Sequence, residues 1–422
     1  MPSACYSSGV QPRVLTSKPV PRSSRDLVLT ALRERGAMSR AELARYVRVS
    51  PSTISAVVQD LVADGLIVGT GGTGGTAGNG ATGGPPASPP RTGRPGLRLT
   101  LNPGAGAVAG VEFGFRQLRV ELCDLAHNMI GSADCGLPED HASAGGLAAA
   151  RRLLDQALAA AGLPHSALIG AGVSLPGPVR QHPDLIKPSA ILPGWRGVTG
   201  RDIEAALGVP VSIDNDSNLA ALGEHVWGAG RGCDDSVTLK FHYGIGCGLF
   251  VNGTLVRGSG GAGEIGHTAV DERGPLCRCG KRGCLETYAA IPAIMEALRP
   301  QHGELTLAQL MRLLAVRDPG AVRVVGDAAE LVGMHLAAVC NLLAPQRVIV
   351  IGPMAQAGEL VLEPIRTAVR RHIAPNAVPE IVLGSLGNRN TALGAIALAL
   401  DETAWLPAKR PLAKRRHRPG VP

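Results

Sequence analysis

The stretch GGAGEIGHTAVDERGPLCRCGKRGCLETY, residues 260–288, gathers one histidine, three cysteines and two flanking glutamates. The spacing is His267-x9-Cys277-x-Cys279-x4-Cys284. One imidazole and three thiolates fill all four tetrahedral positions around Zn²⁺, which leaves no place for water or substrate. The spacing therefore points to a structural zinc site, with free thiols as the alternative. Glu264 precedes His267 by three residues and Glu286 follows Cys284 by two. A metal here would fix both carboxylates on otherwise flexible Gly-rich loops. Without it they read as surface glutamates.

Two other places carry candidate chemistry. The run Asp214-Asn215-Asp216 ends an apolar segment, PVSIDNDSN, and opens a helix. Ligands of layered α/β folds sit beyond the carboxyl ends of strands, which is where this run falls. In SPSTISAVVQDLVADGL, Ser50 is an N-cap and Pro51 takes the first helical position. Ile54, Val57, Val58 and Leu61 form its apolar stripe. Ser52, Thr53, Ser55 and Gln59 fall off that stripe and have the chemistry for phosphates and base edges.

The elements around these residues follow from periodicity. SSRDLVLTALRERG places Val28, Ala31 and Leu32 on one helical face and ends at Gly36. Ser39 and Glu42 form a capping box ahead of Leu43 and Val47. Three helices in residues 23–66 and two β-prone runs, 66–68 and 97–101, predict a winged helix-turn-helix over 23–101. A Gly/Pro-rich insert, 69–96, separates the two runs and is too poor in apolar residues to bury a core. At its end, RTGRPG sets Arg91 and Arg94 on an extended arm suited to a narrow minor groove. That segment reads equally well as a solvated linker. Any three-helix bundle is the alternative for the head as a whole.

From residue 107 strands and helices alternate, which predicts an α/β layered body over 107–400. Strands are expected in AVAGVEFGFRQLRVELCDL, at 169–179, 210–218 and 347–352. Helices are expected near 145–161, 200–207, 217–228, 286–299, 321–344 and 359–372. Charge supports the division. Residues 1–100 carry 12 Lys/Arg against 5 Asp/Glu, 101–400 carry 24 against 27, and 401–422 carry 6 against 2. A basic head, a mildly acidic body and a basic tail suggest that the ends meet a polyanion and the body does not. Simple solubility is the alternative. The first 22 residues are expected to be a flexible N-terminus, and the basic tail 401–422 to be disordered. With no signal-peptide pattern and no long apolar run, a cytoplasmic, non-membrane protein is expected. Clustered cysteines in a reducing compartment favour metal over disulfides.

The motifs SLPGPV, DNDSNLAALGE, YGIGCGLFVNG, GGAGEIGH and CRCGKRGCLE occur here in the order typical of the ROK family (repressors, open reading frames and sugar kinases). Nearly the whole of 107–400 resembles that family. With a winged helix in front, the chain is most similar to its transcriptional-regulator branch. The resemblance implies two RNase H-like lobes of the actin-like ATPase superfamily, hinged around a sugar cleft. It assigns His267, Cys277, Cys279 and Cys284 to zinc, and Asn215, Asp216, Glu264, His267 and Glu286 to sugar hydroxyls. Pro176 and Gly177 would shape the facing loop, with Trp195 near the cleft.

In the family's kinases the aspartate at the Asp216 position is the general base. A kinase must also hold ATP, and three places depart from that pattern. Glu112-Phe113-Gly114-Phe115-Arg116 stands where Asp-x-Gly-Gly-Thr is usual, Tyr243 stands for a threonine, and Gly352-Pro353 replaces a glycine pair. The resemblance thus implies a sugar-responsive DNA-binding regulator, a repressor of carbohydrate genes in a bacterial cytoplasm, on the nucleoid when bound to operator DNA. A monosaccharide or sugar derivative would be its effector, and the assembly a homodimer or tetramer. A hexose kinase carrying a DNA-binding head is the second reading. A zinc-stabilised regulator that docks a protein partner is the third.

Overall fold

The structure, a computed structural model, describes residues 23–70, 97–138, 141–177, 179, 193–375 and 377–403. The chain folds as two compact units, Met1–Asn102 and Pro103–Pro422. Arg91 and Arg94, most of the insert and nearly all of both termini lie outside the described residues.

In the first unit, α1 (Ser24–Arg35), α2 (Arg40–Val47) and α3 (Pro51–Ala63) pack on one another, with β1 (Met38–Ser39), β2 (Ile67–Thr70) and β3 (Arg98–Leu101) alongside. Capping starts all three helices. Ser23 forms a box with Asp26, Ser39 forms one with Glu42, and the Ser50 hydroxyl accepts from the Thr53 N–H ahead of Pro51. Val28, Leu43, Ile54, Val58 and Leu61 are fully buried, and Val57 only partly. The wing is a three-stranded antiparallel sheet in the order β1-β3-β2. Its register, Ile67 opposite Leu101 and Thr70 opposite Arg98, moves the edge expected at residue 68. Gly69 and Thr70 belong to the strand because a four-residue β3 needs four partners. Leu97, expected to be paired, is exposed and unassigned to any strand.

The second unit repeats one topology. Its first lobe holds β4 (Ala107–Phe113), β5 (Gln117–Asp124), β6 (Met129–Gly136), α4 (Ser143–Ala160), β7 (Leu168–Leu175), α5 (Gly200–Leu207) and β8 (Val211–Asn215). After α6 (Asp216–Trp227), the second lobe brings β9 (Ser236–Phe241), β10 (Ile245–Val251), β11 (Thr254–Leu255), α7 (Glu286–Ala289), α8 (Ile291–His302), α9 (Leu307–Ala315), α10 (Pro319–Leu343), β12 (Arg347–Ile351), α11 (Glu359–His372) and β13 (Glu380–Leu383). The chain returns through α12 (Asn390–Thr403). The sheets run β6-β5-β4-β7-β8 and β11-β10-β9-β12-β13. Each is an antiparallel meander continued by two parallel strands.

Several expected boundaries move for local reasons. The helix expected over 286–299 is two helices, because Ala290 is extended and Pro292 restarts the helix within its first turn. Residues 401–403, expected in the tail, belong to α12, which runs to Thr403. α12 has no clean apolar stripe, being apolar on most sides.

That composition suits its place. α12 packs on β4 and β7 of the first lobe and on α6, and α6 packs on β9 and β10 of the second. The α6–α12 pair is thus the layer between the two sheets. It fits only because glycines let backbones touch. A Cβ on Gly394 would sit 1.6 Å from the Leu219 carbonyl oxygen, and one on Gly172 would sit 1.8 Å from that of Ala395. Neither obstacle is a side chain that can swing away. Gly394→Ala is therefore expected to cost about 3 kcal/mol or more, read as a lower urea midpoint for the body.

Candidate ligand cleft and metal centre

A cavity of about 1100 Å³ opens between the lobes at the carboxyl ends of β8, β9 and β12. Asp216 lies on its wall because the chain switches there from β8 to α6. Asn215 is the N-cap of α6. Its Oδ1 accepts from the N–H groups of Ser217 (2.8 Å) and Asn218 (3.3 Å), and its Nδ2 donates to the Gly177 carbonyl (2.8 Å). Asn215 thereby ties the SLPG loop to the helix, and Pro176 and Gly177 line the cavity. Trp195, expected near the cleft, is instead in the first lobe's core. It packs on Phe113 at 4.7 Å and on His141 at 5.9 Å. Asp214 is buried and structural, accepting from Arg257 Nε (2.5 Å) and Asn218 Nδ2 (2.9 Å).

Lys240, at the end of β9, is a residue the motif reading missed. Its Nζ stands 2.9 Å from Asp216 Oδ2. Burial works against its charge, but the Asp216 and then the Glu112 carboxylates outweigh that and raise its affinity for the proton. Next to it, burial and the Lys240 ammonium hold His242 down at about 3, so this imidazole is neutral. The signal was present in the sequence: SVTLKFHYG places one lysine inside an otherwise apolar strand run.

His267, Cys277, Cys279 and Cys284 converge. Their ligand atoms all lie within 4.8 Å of one another, the group among the described residues that can hold a metal ion. His267 Nδ1 is 3.6 Å from Cys277 Sγ, and the Cys279 and Cys284 sulfurs are 3.6 Å apart. Ligand–ligand edges of a tetrahedral zinc–thiolate site are about 3.8 Å for Zn–S of about 2.3 Å. The donor set and its spacing fit a four-coordinate closed site.

The flanking carboxylates sit as the spacing suggested. Glu264 Oε2 is 3.7 Å from His267 Nε2, the ring nitrogen turned away from Cys277. Glu286, the first residue of α7, is buried. Its Oε1 is 3.2 Å from Cys277 Sγ and 3.3 Å from Arg278 Nε. Both line the cavity with Asp216 and His267. Burial, and then the neighbouring Asp216 and Glu286, push the Glu264 carboxyl up to about 7. A second buried carboxylate went unnoticed in DNDSNLAALGE. Glu224 accepts backbone N–H groups of Ala229, Ser385 and Leu386, and so fixes the loop before α12.

The altered loops meet in space. Phe113 points into the core, whereas Phe115 stacks on Tyr243 across the cleft, ring centroids 5.4 Å apart. Gly352, at φ 96°, and Pro353 line the far wall.

In the head, Ser52, Thr53 and Gln59 are exposed and Ser55 is half-buried. The Ser50 hydroxyl is within 2.9 Å of the Ser52 hydroxyl and 2.8 Å of the Thr53 hydroxyl, while Ser55 donates to the Pro51 carbonyl. Gln59 lies about one turn beyond Ser55 along α3.

A winged helix joined to a duplicated α/β body with a carboxylate-lined cleft defines the class: a DNA-binding type of head on a body of the actin-like ATPase type. Residues 108–402 match the ROK family and residues 27–74 the MarR family. The chain belongs to the ROK family. The xylose repressor of Bacillus subtilis is 27% identical over 391 residues, covering 90% of this chain and 96% of its own length. A glucokinase of Halalkalibacterium halodurans is 33% identical over 261 residues, 57% of this chain and 79% of its own. Among solved structures, a ROK family transcriptional regulator described as a homologue of the E. coli MLC protein matches with a TM-score of 0.73 at 24% identity, over 90% of this chain and 95% of its own.

Proposed function

We propose that this protein is a sugar-responsive DNA-binding transcriptional repressor of carbohydrate-use genes. The observation that carries the reading is the pairing of a winged helix with a ROK body on one chain, an arrangement matched nearly end to end by a repressor. In this reading Ser52, Thr53, Ser55 and Gln59 face the major groove, with Arg91 and Arg94 reaching the minor groove. Asn215, Asp216, Glu264, His267 and Glu286 hold sugar hydroxyls. His267, Cys277, Cys279 and Cys284 hold Zn²⁺, whose contribution is a rigid loop. The His267 ring serves both ends, with Nδ1 toward the metal and Nε2 toward the cleft. No helix among the described residues is long and apolar enough to cross a membrane.

Glucokinase relatives and the presence of Asp216 favour a kinase as second reading. Against it, Lys240 already engages the Asp216 carboxylate, and the Phe115–Tyr243 stack fills the space between the loops where phosphates would lie. A coupled assay for sugar-dependent ADP release separates the two, and the repressor reading expects no turnover.

The head is expected to bind an inverted repeat as a dimer, since one winged helix covers one half-site. Affinity should fall steeply with salt as phosphate contacts release counterions. Gln59→Ala should cost about 1–3 kcal/mol on operator DNA and leave non-specific binding unchanged. Mobility shifts that survive deletion of residues 1–101 would overturn this account of the head.

A further inference from the structure

We infer that Phe115, Arg116, Tyr243 and Arg278 form a clasp that closes the cleft from the chain's own side chains, with Arg278 as the positioning residue that joins the clasp to Glu286. The inference rests on the sugar-cleft reading for its ligand, but its geometry stands without one.

Phe115 and Arg116 occupy the β4–β5 turn of the first lobe, while Tyr243 and Arg278 belong to the second. Phe115 stacks on Tyr243, the rings inclined by 25°. The Arg116 guanidinium lies over the Tyr243 ring at 5.8 Å, and the Arg278 guanidinium lies over the Phe115 ring at 5.7 Å. All three contacts cross from one lobe to the other. Each lobe offers one ring and one guanidinium, and each guanidinium covers the other lobe's ring. The chain has only 11 Phe, Tyr and Trp residues, so two meeting at one cleft mouth calls for a specific role. Aromatic pairs and guanidinium–ring contacts are attractive only at close range, so they hold the lobes together in one geometry and vanish on opening.

Arg278 has two further contacts. Its Nη2 donates to the Tyr243 carbonyl (3.2 Å), and its Nε is 3.3 Å from Glu286 Oε1. It lies between Cys277 and Cys279, so its backbone is held wherever those cysteines are held. A ligand that engages Glu286 therefore acts on a carboxylate already tied to the clasp. In a kinase, a nucleotide bridging these two loops would help to hold the lobes closed. Here the side chains that replace the phosphate-binding residues bridge the same loops directly, and closure on a sugar needs no second ligand.

The test uses the full-length protein and two readouts. The first is amide hydrogen exchange without ligand. Phe115→Ala and Arg116→Ala, both in the first lobe, should speed exchange at residues 242–246 and 276–282 of the second. Tyr243→Phe, which keeps the ring, should match wild type. The second is calorimetry with a panel of monosaccharides. Phe115→Ala should weaken the best-bound sugar about tenfold. Arg278→Lys keeps a charge beside Glu286 but loses the planar group that covers Phe115, and should do the same. Wild-type exchange in the second lobe of both first-lobe variants, with wild-type sugar affinity in Phe115→Ala, would overturn the clasp. Should wild type bind no monosaccharide, the sugar reading falls, and the exchange measurement still decides the clasp.

Discussion

Cys279→Ser protein is expected to purify with almost no zinc, where wild type carries about one ion per chain. The loop that holds these ligands has no regular helix or strand between Thr268 and Cys284. It is held by the isolated bridges Ala269–Cys284 and Leu276–Arg282 and by short-range backbone hydrogen bonds such as Val270 N–H to the Gly283 carbonyl (2.7 Å), and Leu276 is largely exposed. A hydroxyl in place of one thiolate removes a ligand that a closed site cannot replace from water without losing affinity. Loss of a structural metal belongs to the mutations that cost about 4 kcal/mol or more. For a body of this size that is a fall in Tm of about 10 °C. Elemental analysis and a thermal melt check both halves. The sugar response should go too, because Glu286 begins α7 two residues after the last ligand and Arg278 lies between two others. DNA binding should persist, since the head has its own core and its own capped helices. Metal-free protein with an unchanged Tm would show that the loop is ordered by its own contacts.

How much of this was legible in the sequence depended on whether the signal was local. Capping boxes at Ser39 and the Ser50-Pro51 start are read from four consecutive residues, and they fell where expected. The His267–Cys284 cluster is nearly as local, and its four ligand atoms converge. The strand-to-helix switch at Asn215–Asp216 follows from one apolar run ending in polar residues. What failed needed knowledge of a distant partner. α12 shows no stripe because it is wedged between β4, β7 and α6, and a helix covered on most sides has no polar face to reveal its period. Trp195 looked like a cleft residue, but Phe113 and His141 enclose it from other parts of the first lobe. The substitutions at Phe115 and Tyr243 were readable as losses of phosphate-binding chemistry. That the two rings meet was not, since 128 positions separate them and only the paired lobes bring them together.

With saturating sugar, wild-type operator affinity is expected to change about tenfold, and in Glu264→Ala by less than twofold. The argument starts from placement. Asp216 stands at the N-terminus of α6, in the layer between the sheets, while Glu264 and His267 stand on a second-lobe loop and Glu286 at the start of α7. Hydroxyls of one sugar that engage both sets favour the closed cleft over the open one. Only residues 102–106 separate the last wing strand from the first strand of the body, so a change in lobe angle has little slack in which to be absorbed. A ligand moves DNA affinity only by its differential affinity for the two states, typically about 1–3 kcal/mol of coupling. Removing the Glu264 carboxylate deletes one side of the bridge and leaves every residue of the head as it is. DNA binding without sugar should therefore equal wild type, and Asp216→Ala should behave alike from the opposite side. Reciprocity adds an independent check, because operator DNA must shift sugar affinity by the same factor in wild type and by almost none in either variant. The measurement is operator affinity for the three proteins, each with and without sugar. If no monosaccharide alters wild-type affinity, the cleft is not the sensor, and docking of a protein partner on the body becomes the better account of how this repressor is controlled.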